Sequence, residues 1–147
     1  MATVDKTADA SLPVHAGARP QFMLENRIDF TATNAAASDV FQALPVQAGW
    51  FVQDVCVDVE TADDGTATID VGDGADTDGY LNDLDVTATG KTVSVLALTE
   101  AAPNTVTGYT AGKLYAADDT IDVLANNALD AAVIVVRALV TNYNGVI

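Results

Sequence analysis

The stretch that decides the fold class is WFVQDVCVDVE, which occupies residues 50–60. Apolar and acidic side chains alternate along most of it, which is typical of a β-strand that buries one face. The predicted apolar face holds Phe51, Val55, Val57 and Val59, and the predicted acidic face holds Asp54, Asp58 and Glu60. Cys56 falls on the acidic face of this strand.

The stretch at residues 131–141 differs, because both of its alternating sets are mainly apolar. One set contains Ala132, Ile134, Val136 and Val140, and the other contains Val133, Val135 and Leu139 together with Arg137. The pattern predicts a strand with two largely buried faces. Two explanations stay open: a central sandwich strand, or a strand with one face in its own core and the other against a neighbouring subunit.

The composition extends the β pattern to the whole chain of 147 residues. Val, Thr and Ile together number 41, whereas Leu, Glu, Lys, Arg, Gln and Met together number 26. Of the 21 acidic residues 18 are Asp, which favours turns over helices. We therefore expect an all-β protein, a single jelly-roll-like β-sandwich of about eight short strands over residues 21–147. Residues 1–20, rich in Ala, Thr, Asp and Pro, are predicted to form a flexible N-terminal arm.

Turn signals suggest how the strands are separated. One or two strands are expected between Phe22 and Phe30, and residues 40–46 are predicted to form an edge strand or a strand end, because Pro45 lacks a backbone donor. Asp63-Asp64-Gly65 is expected to close a hairpin between the strand at residues 50–60 and one at residues 66–71. Residues 72–79 are expected to form a polar loop, and Gly90-Lys91 a turn before a strand at residues 92–98.

The formal net charge of -15 excludes several partners. Three Lys and three Arg scattered along the chain cannot form a basic track for nucleic acid against 21 acids. The most apolar stretch, residues 131–140, is interrupted by Arg137 and is too short to span a membrane as a helix. No secretory signal is apparent in residues 1–12, so a soluble protein that is not exported is expected. Adaptation to high salt is an alternative explanation of the acidity.

The residues that usually carry catalysis are scarce, and we predict that the chain is not an enzyme and holds no cofactor. The single His, His15, falls in the predicted arm, and Ser11, Ser38 and Ser94 lack a nucleophile motif. Gly90-Lys91-Thr92 ends like a phosphate-binding loop, but Asp85 stands where its first glycine belongs. Cys56 is the only cysteine and is expected to be a structural thiol.

The segment from Asp73 to Asp85 is the one stretch with the character of a metal site. On the pattern of a calcium loop, ligand positions are filled by Asp76, Asp78, Asn82 and Asp85, but Gly74 takes the first position, where an acid is required. An Asp- and Gly-rich connection held by side-chain to backbone hydrogen bonds explains the same letters. We therefore assign no metal ligand, and calcium stays an alternative.

Several short motifs resemble those of a known class of protein. The run Ala67-Thr68-Ile69-Asp70-Val71-Gly72-Asp73-Gly74 is followed by Asp78-Gly79-Tyr80-Leu81, Gly112-Lys113-Leu114-Tyr115 and Asp119-Thr120-Ile121-Asp122. Together they resemble small acidic virion proteins of tailed bacteriophages, of the capsid decoration or cement type. The resemblance implies a protein that binds the major capsid protein on the outer capsid surface and stabilises the shell. It also implies a homo-oligomer, with three copies suggested by capsid symmetry, and assembly in the host cytoplasm.

Two alternatives accompany that interpretation. A phage tail or fibre component could share an acidic β domain. A carbohydrate-binding or calcium-stabilised adhesion module would use aromatic side chains as stacking surfaces, and Trp50, Tyr80, Tyr109 and Tyr115 are the candidates for this. Trp50 begins a predicted strand, a position where a core role is more common than an exposed one.

Overall fold

The computed structural model describes residues 21–94, 108, 109 and 111–143. These residues form nine strands in two antiparallel sheets, which confirms the all-β sandwich. The strands are β1 (Gln21–Asp29), β2 (Val40–Val46), β3 (Trp50–Thr61), β4 (Thr68–Gly72), β5 (Leu81–Asp85), β6 (Gly90–Val93), β7 (Lys113–Leu114), β8 (Asp119–Ala125) and β9 (Val133–Asn142). The first sheet has the order β1-β9-β3-β6, with β7 also paired to β3, and the second has the order β2-β8-β4-β5.

Strand β9 is central in the first sheet, between β1 and β3. Its inner face is fully buried in the core between the sheets, with Ile134, Val136, Ala138 and Val140 all at 0% exposure. Val133 and Val135 on its outer face are also buried. The central-strand explanation of the two apolar faces is therefore confirmed for this part of β9.

A β-bulge in β3 overturns the predicted position of Phe51. The register of β3 against β9 shifts between Val52 and Asp54, so one additional residue enters the strand at this point. Because each added residue reverses the alternation, Val52 is buried in the core and Phe51 lies on the outer face. Phe51 pairs there with Thr141 of β9 and Leu114 of β7.

The predicted hairpin between β3 and β4 is wrong, because the two strands belong to different sheets. The turn itself is present, and Gly65 has the positive φ of 76° that suits glycine. The connection crosses the sandwich and is fastened by the buried carboxylate of Asp63. Its Oδ2 accepts hydrogen bonds from the backbone N–H groups of Asp130, Ala131 and Ala132 at 3.2, 3.1 and 2.9 Å. A carboxylate held in this way links the crossing to the segment that enters β9.

The remaining predictions have mixed outcomes. Strand β2 lies at the edge of the second sheet, as its proline indicates, and a loop follows β4 as expected. Gly90 and Lys91 belong to strand β6, so the turn predicted there is wrong; the chain bends earlier, at Thr87 and Ala88. The N-terminal arm, residues 95–98 of the predicted strand and most of the following loop lie outside the described residues.

Replacing Asp63 tests whether its carboxylate fastens the crossing. We expect Asp63→Asn to lower the free energy of unfolding by about 1–3 kcal/mol, because a buried, charged acceptor of three backbone N–H groups becomes a neutral one. Asp64→Asn is the matched control, since its side chain is exposed, and should change stability by less than about 0.5 kcal/mol. Urea denaturation measures both, and equal effects of the two changes would contradict this role.

Candidate functional site

The most highly connected polar group of the described residues is the carboxylate of Asp73, which is fully buried just after β4. Oδ1 accepts hydrogen bonds from the backbone N–H groups of Ala75 and Asp76, at 2.9 and 3.1 Å, and from the Tyr109 hydroxyl at 2.9 Å. Oδ2 accepts from the Tyr115 hydroxyl at 2.9 Å and from Lys113 Nζ. Every lone-pair direction of this carboxylate therefore has a donor nearby. The Asp73 cluster consists of Asp73, Tyr80, Tyr109, Lys113 and Tyr115.

Aromatic rings enclose the ion pair of the Asp73 cluster. Lys113 Nζ lies 4.4 Å from the centroid of the Tyr109 ring and 4.7 Å from that of Tyr115, which adds cation–π attraction. The hydroxyls of Tyr80 and Tyr115 are 3.1 Å apart. Gly79 allows the loop to approach, because a Cβ there would lie 2.4 Å from the Tyr109 ring.

The pKa values of the Asp73 cluster keep its charges fixed near neutral pH. Burial by itself raises the pKa of Asp73, but hydrogen bonds from Lys113, Ala75 and the tyrosine hydroxyls outweigh burial and hold it below the usual value. The pKa of Lys113 is raised, because its bonds to Asp73 and Tyr109 outweigh the effect of burial. Burial raises the pKa of Tyr80 and of Tyr115. None of these groups is tuned to exchange a proton near pH 7, which is what a general acid or base requires.

The loop that follows Asp73 is held by local hydrogen bonds and by Lys113. The Lys113 ammonium supplies the positive charge that faces the Asp73 carboxylate. Asp85 accepts from the backbone N–H and the hydroxyl of Thr87 at 2.8 and 2.6 Å. A hydrogen bond with Asp78 raises the pKa of Asp76, so these two carboxylates are adjacent. These contacts match the hydrogen-bonded alternative of the sequence analysis.

One group of three carboxylates among the described residues is close enough to hold a metal ion, and it lies elsewhere, at Asp63, Asp64 and Asp130. The carboxylate of Asp63 is already committed to three backbone N–H groups, while Asp64 and Asp130 are exposed. Clustered acids of this kind are common on an acidic surface and do not by themselves make a metal site.

The candidate nucleophiles among the described residues are held in hydrogen bonds or are partly buried, and none is activated. Ser94 is buried; its hydroxyl donates to Asp54 and accepts from the backbone N–H of Val55 at 3.0 Å. The backbone of Ser38 has a φ of 74° and its N–H donates to Ala125. Burial raises the pKa of the half-buried Cys56 thiol, the opposite of what activates a cysteine. His15 and Ser11 lie outside the described residues.

The four aromatic side chains proposed for carbohydrate stacking do not share an exposed surface. Tyr80 and Tyr115 are buried at 1% and 2% exposure inside the Asp73 cluster. Tyr109 is partly buried and meets Tyr80 at a centroid distance of 5.0 Å. Trp50 packs against the core beside Phe22, with ring centroids 4.9 Å apart. This enclosure could not be predicted from the sequence, because it depends on Asp73 and Lys113, which are 40 positions apart.

The outer face of the first sheet carries most of the basic residues in the part of the chain that the structure describes. Residues paired across neighbouring strands point to the same face, so the register defines this mixed face. It includes Met23, Glu25, Arg27, Phe51, Asp54, Cys56, Asp58, Lys91, Val93, Leu114, Val133, Val135, Arg137 and Leu139, together with Glu60 and Tyr143, which contact Arg27 and Phe51. Arg27, Lys91 and Arg137 are three of the four described basic residues, and the fourth is Lys113.

Ion pairs organise the charged part of the mixed face. Arg27 Nε lies 2.8 Å from Glu60 Oε2, so this pair spans β9 from β1 to β3. Arg137 Nε lies 2.6 Å from Glu25 Oε2, and Arg137 Nη1 lies 3.7 Å from Asp58 Oδ2. Lys91 Nζ also lies 3.6 Å from Asp58. Both signs of charge therefore alternate over this face.

The other end of the mixed face is apolar. Met23 and Leu114 are each 58% exposed, and Tyr143, which stacks on the edge of Phe51 at 5.8 Å, is 44% exposed. These are three of the four large hydrophobic side chains that are exposed among the described residues. A shallow pocket of about 210 Å³ between Met23, Leu139 and Cys56 connects them to the charged end.

The outer face of the second sheet has the opposite character. This acidic face includes Asp70, Asp83, Asp85 and Asp122, and no Lys or Arg of the described residues lies on its strands. Asn126 Nδ2 donates to Asp70 and Asp83 at 2.8 and 3.1 Å. The acidic face also carries the fourth exposed hydrophobic side chain, Val40, which is 54% exposed.

Comparisons with known proteins identify the fold. No protein family and no curated protein matches the sequence. Among the described residues, no helix is long and apolar enough to cross a membrane. Three solved phage capsid structures contain chains that align with most of this one.

The aligned chains have low sequence identity and high coverage. A chain of the cyanophage Pam1 capsid asymmetric unit aligns at a TM-score of 0.64 and 14% identity, over 95% of this chain and 97% of that one. A chain in the capsid of Ralstonia phage GP4 aligns at a TM-score of 0.58 and 15% identity, over 90% of this chain and 89% of that one. A chain in the acidic stable capsid structure of Helicobacter pylori bacteriophage KHP30 aligns at a TM-score of 0.55 and 15% identity, over 82% of this chain and 86% of that one. This chain therefore shares its fold with chains of phage capsids.

Removing the charge of Lys113 tests the Asp73 cluster. We expect Lys113→Met to lower the free energy of unfolding by about 3–5 kcal/mol, because Asp73 is then a buried charge without its counter-ion. Lys91→Met is the matched control: the Lys91 side chain is 68% exposed and Asp58 keeps Arg137 as a second partner, so a loss below about 1 kcal/mol is expected. Chemical denaturation of both variants measures the free energy of unfolding. A K113M variant as stable as K91M would show that the ion pair does not hold the loop.

Proposed function

We propose that this chain is a non-enzymatic structural protein of a phage virion, of the capsid decoration type. In this role it binds the major capsid protein on the outer surface of the shell and stabilises it. The observation that carries the proposal is the likeness of nearly the whole chain to chains in three phage capsid structures. Because the alignments cover most of both partners, the matched chains have about the same length as this one.

The strand pairing supports the same proposal. With the two-residue β7 set aside, β1 pairs with β9, β2 with β8, β3 with β6 and β4 with β5. Such nested pairing of the first strand with the last, the second with the next to last, and so on inward, is what an antiparallel ribbon gives when it is wrapped into a jelly roll. We therefore assign a jelly-roll topology, which is common in viral capsid domains.

The charge supports a position on the outside of the particle. A net charge of -15 repels packaged DNA and keeps an exposed surface soluble. The described basic side chains, Arg27, Lys91, Lys113 and Arg137, all lie in ion pairs with carboxylates. Assembly in the host cytoplasm follows from the same proposal, since that is where capsids form.

The chemistry of the described residues supports a role without catalysis. In the Asp73 cluster the carboxylate and the ammonium are mutually neutralised, and the pKa values of the tyrosines are raised. The hydroxyl of Ser94 is bonded to Asp54 and the pKa of Cys56 is raised by burial. The polar groups therefore hold the fold together and leave no activated nucleophile in the part of the chain described.

Binding to capsids tests the proposal directly. We expect the purified protein to co-sediment with capsids that lack it, at a fixed copy number relative to the major capsid protein, and to raise the temperature at which those capsids disrupt. Isolated tails of the same phage are the control and should bind none. Binding to tails with none to capsids would instead favour the tail or fibre alternative, and binding to neither would overturn a virion role.

The predicted arm adds a second, separable element. We propose that residues 1–20 lie across a neighbouring capsid subunit and contribute to affinity, and that the protein is a homo-oligomer, with three copies as the expected number. Deletion of residues 1–20 should weaken capsid binding at least about tenfold and leave the unfolding midpoint unchanged, because the sandwich begins at Gln21. Undiminished binding of the shortened protein would remove the arm from the contact.

A further inference from the structure

The two outer faces of the sandwich differ in their charges and in their exposed apolar side chains. The mixed face holds three of the four described basic residues and three of the four exposed large hydrophobic side chains. The acidic face holds carboxylates and one exposed hydrophobic side chain, Val40. A surface that faces solvent needs charged groups but no exposed apolar ones, and acidic side chains alone would keep it soluble. The mixed face instead combines exposed apolar groups with most of the described basic residues, which is the composition of a contact surface.

We propose that the mixed face docks a second copy of this chain. The inference rests on the homo-oligomer of the proposed function and adds the surface through which copies join. It differs in copy number, because a face that meets the same face of a second copy joins two copies, whereas three copies around a three-fold axis would each use two different surfaces. Its apolar end, with Met23, Leu114 and Tyr143, supplies area to bury, and its charged end, with Arg27 and Glu25, sets the register of the two copies.

Charge complementarity identifies the occupant. Two copies that each carry a net charge of -15 repel each other over most of their surfaces. On the mixed face, exposed cations and exposed acids stand side by side: Arg27 at 54% and Lys91 at 68%, Glu25 at 58% and Glu60 at 40% side-chain exposure. Of the two outer faces, only this one can place a cation of one copy against an acid of the other. The face is thus complementary to itself, whereas a basic partner would fit the acidic face better.

The size of the mixed face is adequate for such a contact. The five strands of this sheet contain 37 residues, which at about 3.3 Å per residue and about 4.8 Å between strands give a sheet face of roughly 600 Å². Side chains that stand out from the sheet increase the accessible area, which brings it near the roughly 800 Å² that each partner buries in a stable complex. Strand β9 lies in the middle of this face, so the second copy would pack against Leu139 and the pocket beside it.

Three single substitutions of equal charge test the inference on the full-length protein. Met23→Glu and Leu114→Glu each place a carboxylate in the apolar end of the mixed face. Val40→Glu is the matched control, because Val40 has nearly the same exposure and lies on the acidic face. All three positions are more than half exposed, so the fold should survive, which circular dichroism and urea denaturation verify.

Analytical ultracentrifugation over a range of concentrations measures the outcome. We expect the unmodified protein to self-associate, and M23E and L114E each to raise the dissociation constant at least about tenfold, with the double variant monomeric. V40E should stay within about twofold of the unmodified protein. The inference is overturned if the unmodified protein is monomeric throughout, if the double variant associates normally, or if V40E weakens association as much as M23E.

Capsid co-sedimentation of the same proteins separates this inference from the proposed function. A monomeric unmodified protein that binds capsids would overturn the self-docking face and keep the virion role. If that binding is lost in M23E and L114E, the occupant of the face is the shell and not a second copy. An oligomer that is dissociated by M23E and L114E but never binds capsids would keep the face and overturn the virion role.

Discussion

The burial of strand β9 on both faces is the constraint on which the rest of the structure depends. Its inner side chains, such as Ile134 and Val136, fill the core between the sheets, and Val133 and Val135 on the outer side are buried as well. Both conditions require flanking strands on either side of β9 and a side-chain layer over its outer face. Strands β1 and β3 supply the flanks, and the Arg27–Glu60 ion pair spans the strand between them. The central place of β9 in the first sheet meets this requirement.

Two buried carboxylates fasten the connections around this sheet. Burying a charge is unfavourable unless donors surround it, so each carboxylate is stable only when the distant segments that donate to it are in place. Asp63 takes its donors from residues 130–132, and Asp73 from Tyr109, Lys113 and Tyr115. Folding of these regions is therefore expected to be cooperative, because each carboxylate links its loop to a segment that is remote in the sequence.

The distribution of charge gives the molecule two unlike sides. Its few cations are concentrated on the mixed face, where each is paired, and the acidic face has carboxylates without basic neighbours on its strands. A highly acidic protein must overcome repulsion at every contact it makes. Both signs of charge stand beside exposed apolar groups on the mixed face, whereas the carboxylates of the acidic face repel other acidic surfaces.

The sequence by itself determined the class of fold and much of its local structure. An alternation of period two is a local property, so the strands at Val40–Val46 and Trp50–Thr61 and the two apolar faces of β9 could be predicted from neighbouring residues alone. The tertiary structure decided what depends on distant partners. The bulge that turns Phe51 outward follows from pairing with β9. Strands β3 and β4 belong to different sheets, because β3 pairs with β9 and β4 pairs with β8. On sequence grounds the loop after Asp73 could bind a metal or bond to itself. The ion pair between Asp73 and Lys113, 40 positions away, could not be predicted, because only the folded chain brings that ammonium to the carboxylate.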